Sequence, residues 1–234
     1  MEDSAARPVN EYGQSKLAFE ELLRARLPLR HISLRSSLII GGTTPSTCRK
    51  QSFFQFCDER LGSGVATDFF SDEIRSVVLV DDVTATITAL LRLVSPTGIT
   101  SAPTGIIPDG ATSAPVPATG HPGDPTGISG GANSPEGRLR AIAKIAGVYN
   151  MGGPHGVSRV DVAREVAKHR GHATSNINSV ERFAPGAPTQ AGGVASPPDI
   201  TMDSSRLAKL TGVEFRSLAD AVRVSLAGAE QQGV

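Results

Sequence analysis

A helix followed directly by an apolar strand is the feature that most constrains the fold of this chain. From about Glu11 to Arg26, apolar residues recur at helical spacing, and Pro28 ends that pattern. The stretch from His31 to Ile40 is too continuously apolar at its end for a half-exposed hairpin strand. The sequence therefore predicts a helix and then a buried parallel strand, as in α/β proteins. The apolar positions of the helix are Leu17, Phe19, Leu22, Leu23 and Leu27.

Further helices and strands are predicted along the rest of the chain. Asp82 precedes a helical pattern at 83–94 and is predicted to be its N-cap, and Ser158 with Asp161 is close to a capping box. Two Gly/Pro-rich loops, after residue 41 and around 184–198, are also expected. The predicted helices lie at 52–61, 83–94, 158–167, 204–210 and 217–227, and the predicted strands at 76–80 and 145–151.

Residues 95–137 differ sharply in composition from their surroundings. They are rich in Pro, Gly, Thr and Ser, and Pro-Thr-Gly-Ile recurs at 96–99, 103–106 and 125–128. Such a segment cannot bury enough apolar surface to offset the entropy lost on ordering it. The sequence predicts a disordered insertion here, within one domain made of 1–94 and 138–234.

Composition narrows the possible partners and compartments. The 23 basic and 23 acidic residues balance, which gives no electrostatic reason to expect nucleic acid or an anionic membrane as a partner. No apolar run is long enough to span a bilayer. Cys48 and Cys57 have no further Cys or His at ligand spacing, so neither a metal site nor a disulfide framework is expected. The cytoplasm is the predicted compartment, with an organelle left open.

Tyr12 and Lys16 carry the chemistry that the sequence suggests. They are four residues apart in Asn10-Glu11-Tyr12-Gly13-Gln14-Ser15-Lys16, so a helix projects both from one face. A nearby ammonium favours the phenolate and lowers the pKa of a tyrosine toward the range of an acid–base catalyst. The spacing is common by chance, and a solvated pair is the alternative.

Around this pair, the chain resembles the extended short-chain dehydrogenase/reductase family. The resemblance rests on the Tyr-Gly-x-Ser-Lys helix, the strand ending in Gly41-Gly42, and Pro-x-Asp-Ile-x-Met-Asp-x-x-Arg-Leu from Pro197 to Leu207. The most similar branch contains dTDP-4-dehydrorhamnose reductase and the regulatory beta subunit of methionine adenosyltransferase. The resemblance implies part of a Rossmann-like NAD(P)-binding parallel sheet with a small substrate-binding lobe.

The family's first βαβ units, with their glycine-rich turn, have no counterpart before Tyr12. Without those earlier strands, the strand at 31–40 is expected to expose an unpaired apolar edge. Gly152-Gly153-Pro154 lies late in the chain and is a poor candidate for a phosphate cradle, because Pro154 removes a backbone donor.

The resemblance also implies residue roles. Tyr12 would be the catalytic acid/base, and Lys16 would hold the nicotinamide ribose and lower the pKa of the tyrosine. Ser36 to Ile39 would line the nicotinamide pocket of NAD or NADP, a choice that depends on the absent half. Arg75 would face a substrate phosphate, or else form a surface ion pair with Asp72 or Glu73.

Two classes of function follow from this resemblance. One is an NAD(P)-dependent reductase acting on a nucleotide sugar. The other is a non-catalytic regulatory subunit that docks on a methionine adenosyltransferase catalytic subunit in S-adenosylmethionine synthesis, and an inactive fragment is a third possibility. A homo-oligomer is left open. The cluster Phe53, Phe54, Phe56, Phe69 and Phe70 is predicted to be lobe core rather than a docking face.

Overall fold

Helices and strands alternate along the part of the chain that the structure describes. The computed structural model describes residues 2–41, 50–95, 134–183 and 196–227. The helices are α1 (Glu11–Arg26), α2 (Phe53–Gly62), α3 (Val80–Val94), α4 (Pro135–Ile145), α5 (Arg159–Arg170), α6 (Ser205–Thr211) and α7 (Leu218–Ala227). The strands are β1 (Ile32–Ser36), β2 (Leu38–Ile40), β3 (Thr67–Phe70), β4 (Ile74–Leu79), β5 (Gly147–Met151), β6 (Gly156–Val157), β7 (Ile177–Val180) and β8 (Asp199–Ile200).

The strands pair mainly in parallel, which confirms the predicted α/β class. β1 pairs with β5, β2 with β4, and β3 with β7, all in parallel. β4 also carries a short parallel partner, β8, and a short antiparallel one, β6. The predicted strand at 31–40 is two strands, because the chain breaks at Ser37 and its two halves pair with different neighbours.

The region from 31 to 40 is less buried than predicted. Ile40 is buried, but β1 is only half-buried and Ile39 is 51% exposed. The reason is that, within the described residues, β1 has a strand on one side only. The expected unpaired edge is therefore present.

Two apolar cores hold the elements together. The larger lies between α2, α5 and α7 and includes Phe54, Val166 and Leu226. The smaller lies under β1 and β5 and includes Tyr149 and Leu207. Capping boxes begin both α2, at Ser52, and α5, at Ser158; the second was predicted.

Two boundary predictions need correction. Asp82 is not an N-cap: α3 begins at Val80, and the Asp82 carboxylate accepts a hydrogen bond from the Arg216 backbone N–H at 3.0 Å. Most of the predicted insertion, residues 96–133, lies outside the described residues. Its last residues are folded, since Ser134 caps α4 by accepting from the Gly137 N–H at 3.0 Å.

Helix α1 has the predicted bounds but not the predicted buried face. Phe19 is 57% exposed and Leu22 is 51% exposed, and the one buried residue of α1 is Glu20. Arg35 on β1 donates to both Glu20 carboxylate oxygens, at 2.7 and 2.6 Å. Among the described contacts, this bidentate ion pair is the principal link between α1 and the sheet.

The Glu20–Arg35 pair predicts an acid-sensitive stability. The hydrogen bond from Arg35 holds the pKa of Glu20 below its ordinary value. A lowered carboxylate pKa stabilises the fold above the ordinary value of about 4.3 and loses that effect as pH falls through the folded-state pKa. The urea midpoint should therefore fall faster with acidification in the native protein than in Glu20→Gln. Below the folded-state pKa the two curves should meet, because a protonated glutamate and a glutamine are both neutral. A difference between the two urea midpoints that stays constant down to that pH would contradict a stabilising role of the Glu20–Arg35 pair.

Candidate active site

The Tyr12–Lys16 pair lies in the first half of α1, as predicted. The Lys16 Nζ atom is 5.1 Å from the centroid of the Tyr12 ring. Asn10 begins the helix, and its side chain accepts from the Gly13 N–H at 2.8 Å. Tyr12 is 70% exposed, and Lys16 is exposed as well. The helix thus holds the two groups together and presents both outward.

The other two predicted cofactor residues lie on the sheet. Ser36 ends β1 opposite Met151, and Ile39 lies in β2 opposite Val78. No hydrogen bond or ion pair among the described residues joins either of them to Tyr12 or Lys16. Their place beside a nicotinamide stays a prediction.

A cavity of about 530 Å³ opens between α2, β3 and the start of α5. We call it the lobe cavity. Asn10, the cap of the helix that carries Tyr12, contributes to its wall, so the cavity adjoins the start of α1. The lining residues are Asn10, Phe53, Phe56, Asp68, Phe69, Phe70, Glu73, Arg159, Arg182 and Ser196.

A buried carboxylate beside the cavity is shared by three arginines, and we call this group the Glu73 cluster. One oxygen of Glu73 is 2.7 Å from Arg75 Nη2 and 2.7 Å from Arg182 Nη1. The other is 3.2 Å from Arg159 Nε. Arg159 and Arg182 line the cavity together with Glu73 and Asp68, so the formal charges of its wall balance. The two guanidiniums are its positively charged hydrogen-bond donors.

Aromatic rings support two of these arginines. The Arg159 guanidinium is 4.6 Å from the centroid of Phe53, and that of Arg182 is 5.5 Å from Phe70. Such stacking orients a guanidinium while leaving its edge free to bind a carboxylate or phosphate. The wall thus offers flat apolar surfaces next to directed positive charge.

Arg75 occupies the alternative that the sequence left open, the ion pair with Glu73. Only 6% of Arg75 is exposed, and it also donates to the Ser196 hydroxyl at 2.8 Å and to the Pro198 carbonyl at 3.2 Å. Burial lowers the pKa of Arg75 below its ordinary value. Arg75 does not line the lobe cavity, and the arginines that do so are Arg159 and Arg182.

Sequence reasoning missed Arg159 and Arg182 because their partner is distant along the chain. Glu73 is 86 residues from Arg159 and 109 from Arg182. No local pattern indicates such a pairing. The phenylalanine cluster was the available signal. Phe54 and Phe69 are buried in the larger core, whereas Phe53, Phe56 and Phe70 are half-buried and line the cavity.

The late glycines do not form a phosphate cradle. A Cβ atom on Gly153 would lie 2.2 Å from the Val77 carbonyl oxygen, and one on Gly152 would lie 2.6 Å from the Ser76 Cβ. Both glycines are therefore packed against β4, with no room for a ligand. Within the described part of the chain, Gly152 and Gly153 therefore provide no pyrophosphate-binding turn.

The described residues contain neither a metal-ligand cluster nor a membrane-spanning helix. No group of three or more His, Cys, Asp or Glu side chains there could hold a metal ion. No helix there is both long and apolar enough to cross a bilayer.

Comparison with known proteins identifies the fold. No family model and no curated protein matches the sequence. A dTDP-glucose 4,6-dehydratase from Bacillus anthracis, solved with NAD, aligns with a TM-score of 0.59 and 13% identity over 99% of this chain and 56% of its own. A UDP-glucuronic acid 4-epimerase from Bacillus cereus aligns with a TM-score of 0.57 and 17% identity, over 99% of this chain and 56% of its own. A dTDP-4-dehydrorhamnose reductase from Bacillus anthracis, solved with NADP, aligns with a TM-score of 0.57 and 14% identity, over 96% of this chain and 57% of its own.

The chain therefore shares its α/β fold with part of each of these solved nucleotide-sugar enzymes. It spans about half the length of the solved chains that it matches. At these identities the likeness concerns the fold alone and selects no branch of the family. It gives no support to the regulatory subunit of methionine adenosyltransferase.

Removing the single negative charge of the Glu73 cluster should lower the free energy of unfolding strongly. Glu73→Gln leaves Arg75 buried without a counter-charge, a change that costs about 3–5 kcal/mol in the free energy of unfolding. Glu165→Gln is the matched control, because Glu165 pairs with an exposed lysine at 3.5 Å, and its loss should cost less than about 1 kcal/mol. Urea denaturation of both variants measures the difference, and equal costs would contradict the central role of Glu73.

Proposed function

We propose that this chain is part of an NAD(P)-dependent oxidoreductase that acts on a nucleotide sugar, of the dTDP-4-dehydrorhamnose reductase type. The observation that carries the proposal is the lobe cavity, whose Phe rings and two arginines adjoin the start of the Tyr–Lys helix. The fold likeness supports it, because the named neighbours are enzymes of nucleotide sugars solved with NAD or NADP.

The cavity suits the two ends of such a substrate. Arg159 and Arg182 would bind its phosphates through charge-assisted hydrogen bonds, each guanidinium being shared with Glu73. The flat faces of Phe53 and Phe56 would contact the base or the sugar ring. Arg75 would act indirectly, by holding Glu73 in place.

Tyr12 and Lys16 would handle the proton. A bound nicotinamide would supply the hydride for reduction of a sugar carbonyl. Tyr12 would donate its phenolic proton to the carbonyl oxygen, which would complete the alcohol, and the Lys16 ammonium would stabilise the phenolate that remains. Ser36 and Ile39 would line the nicotinamide pocket.

Replacing Tyr12 tests the acid–base role. Tyr12→Phe removes the proton donor, so reduction of dTDP-4-dehydrorhamnose should fall at least about 100-fold in the protein isolated with its nicotinamide bound. Cofactor binding should be unchanged, because only a hydroxyl is lost. Tyr149→Phe is the matched control: it is the other tyrosine of the chain, its hydroxyl donates to the Ile145 carbonyl in the core, and its loss should spare turnover. Turnover retained in Tyr12→Phe would refute the assignment.

Replacing Arg182 tests the phosphate site. Arg182→Gln should weaken the binding of dTDP about 10-fold or more, because a charge-assisted hydrogen bond is lost. The binding of thymidine should be unchanged, because it has no phosphate. Arg60→Gln is the control, because Arg60 also lies over a ring, that of Phe56 at 5.9 Å, but does not line the cavity. Calorimetric titration measures both ligands. An equal loss for dTDP and thymidine would contradict a phosphate role.

A further inference from the structure

Arg182 lies on a segment that belongs to no helix or strand. The register of β3 with β7 ends at Phe70 and Val180, and the last backbone bond between the two segments runs from the Ser71 N–H to the Val180 carbonyl at 2.9 Å. Beyond that point, a partly buried backbone N–H has no strand partner and needs another acceptor. The position of Arg182 therefore depends on groups outside β7.

Asp72 supplies these acceptors. Its Oδ1 atom accepts from the Arg182 N–H and its Oδ2 atom from the Phe183 N–H, both at 2.8 Å. Burial acts to raise the pKa of Asp72, but the two backbone hydrogen bonds and the charge of Arg182 bring the pKa below its ordinary value. The carboxylate is therefore ionised at neutral pH, and it ties two successive residues to the turn between β3 and β4.

Both of the tied residues set the place of one guanidinium. The Arg182 guanidinium is 5.5 Å from the centroid of the Phe70 ring and 5.6 Å from that of Phe183. Its Nη1 atom is 2.7 Å from a carboxylate oxygen of Glu73, the residue that follows Asp72. Asp72 thus fixes the backbone of the arginine and of one ring beside it, while Glu73 holds the charged end.

Arg159, the other arginine of the cavity, has a different backbone anchor. It is the first residue of α5, and the capping box of that helix satisfies the backbone there. Its Nε atom is 3.2 Å from the same Glu73 carboxylate. The two guanidiniums therefore share a side-chain anchor, whereas the contacts of Asp72 reach only Arg182.

We propose that Asp72 is a positioning residue of the lobe cavity, which aims the Arg182 guanidinium at a ligand phosphate by binding the backbone of Arg182 and Phe183. Asp72 is not part of the described cavity wall, so it acts through the arginine. Its charge alone would have the opposite effect, because a carboxylate near the site repels a phosphate. The inference rests on the proposed function in one respect, namely that Arg182 binds phosphate.

Replacing Asp72 separates positioning from charge. Asp72→Asn leaves one acceptor oxygen for two N–H donors and removes the negative charge. We expect the binding of dTDP to the full chain, measured by calorimetric titration, to weaken about 3-fold or more, and that of thymidine to be unchanged. Asp72→Ala, which leaves no acceptor, should weaken dTDP further. An effect of charge alone predicts tighter binding of dTDP, and that result would overturn the proposal.

Asp203→Asn is the matched control for the loss of a carboxylate that binds the backbone. Asp203 accepts from the Ser205 N–H at 3.0 Å and is not part of the described cavity wall. Its replacement should leave the binding of dTDP unchanged. A loss equal to that of Asp72→Asn would contradict a specific role of Asp72.

A double variant tests whether Asp72 acts through Arg182. Asp72→Asn combined with Arg182→Gln should bind dTDP as weakly as Arg182→Gln alone, because the group that Asp72 positions is already absent. Losses of affinity that add up in the double variant would contradict the proposal.

Nuclear magnetic resonance gives a readout that needs no ligand. In Asp72→Asn, the ¹⁵N order parameter of Arg182 Nε should fall below about 0.6, the range of flexible groups. Arg159 Nε is the internal control and should be unchanged. An Arg182 Nε that stays as ordered as in the native chain would overturn the proposal. If Arg182→Gln binds dTDP normally, the phosphate role in the proposed function fails, whereas a loss of order at Arg182 in Asp72→Asn still supports positioning by Asp72.

Discussion

The ion pairs of the buried Glu73 carboxylate are the interaction on which the region around the lobe cavity depends. It joins β4 to the start of α5 and to the chain just after β7, and through Arg75 it also reaches Ser196. A charge with so little exposure is stable only when it is fully paired, and its partners are equally constrained. The same contacts keep two guanidiniums at the cavity wall, so the stability of this region and the placement of those guanidiniums have one origin.

Helix α1 is held in a very different way. Its one buried residue is an ionised glutamate bound to Arg35, and its apolar side chains face outward. The helix that carries the proposed acid–base pair is thus the least buried large element of the described chain. Precise placement of a catalytic phenol requires packing on several sides.

Local signals in the sequence predicted most elements, and long-range contacts explain the rest. The bounds of α1 and the Ser158 capping box follow from spacing and cap chemistry within a few residues. The break at Ser37 and the burial of Asp82 depend on partners far along the chain, which periodicity does not reveal. Tyr12 and Lys16 could be proposed from the sequence because their spacing is itself local, and their role stays a prediction. The arginines of the cavity were missed because Glu73 brings them together from distant segments.

The two tyrosines give the chain a natural optical probe. There is no tryptophan, Tyr149 is buried in the smaller core, and Tyr12 is largely in solvent. Ultraviolet fluorescence therefore combines one constant emitter with one that senses whatever covers the start of α1. Any molecule that settles over Tyr12 would change the emission of the unlabelled protein, so occupation of this surface is visible without a dye or a mutation.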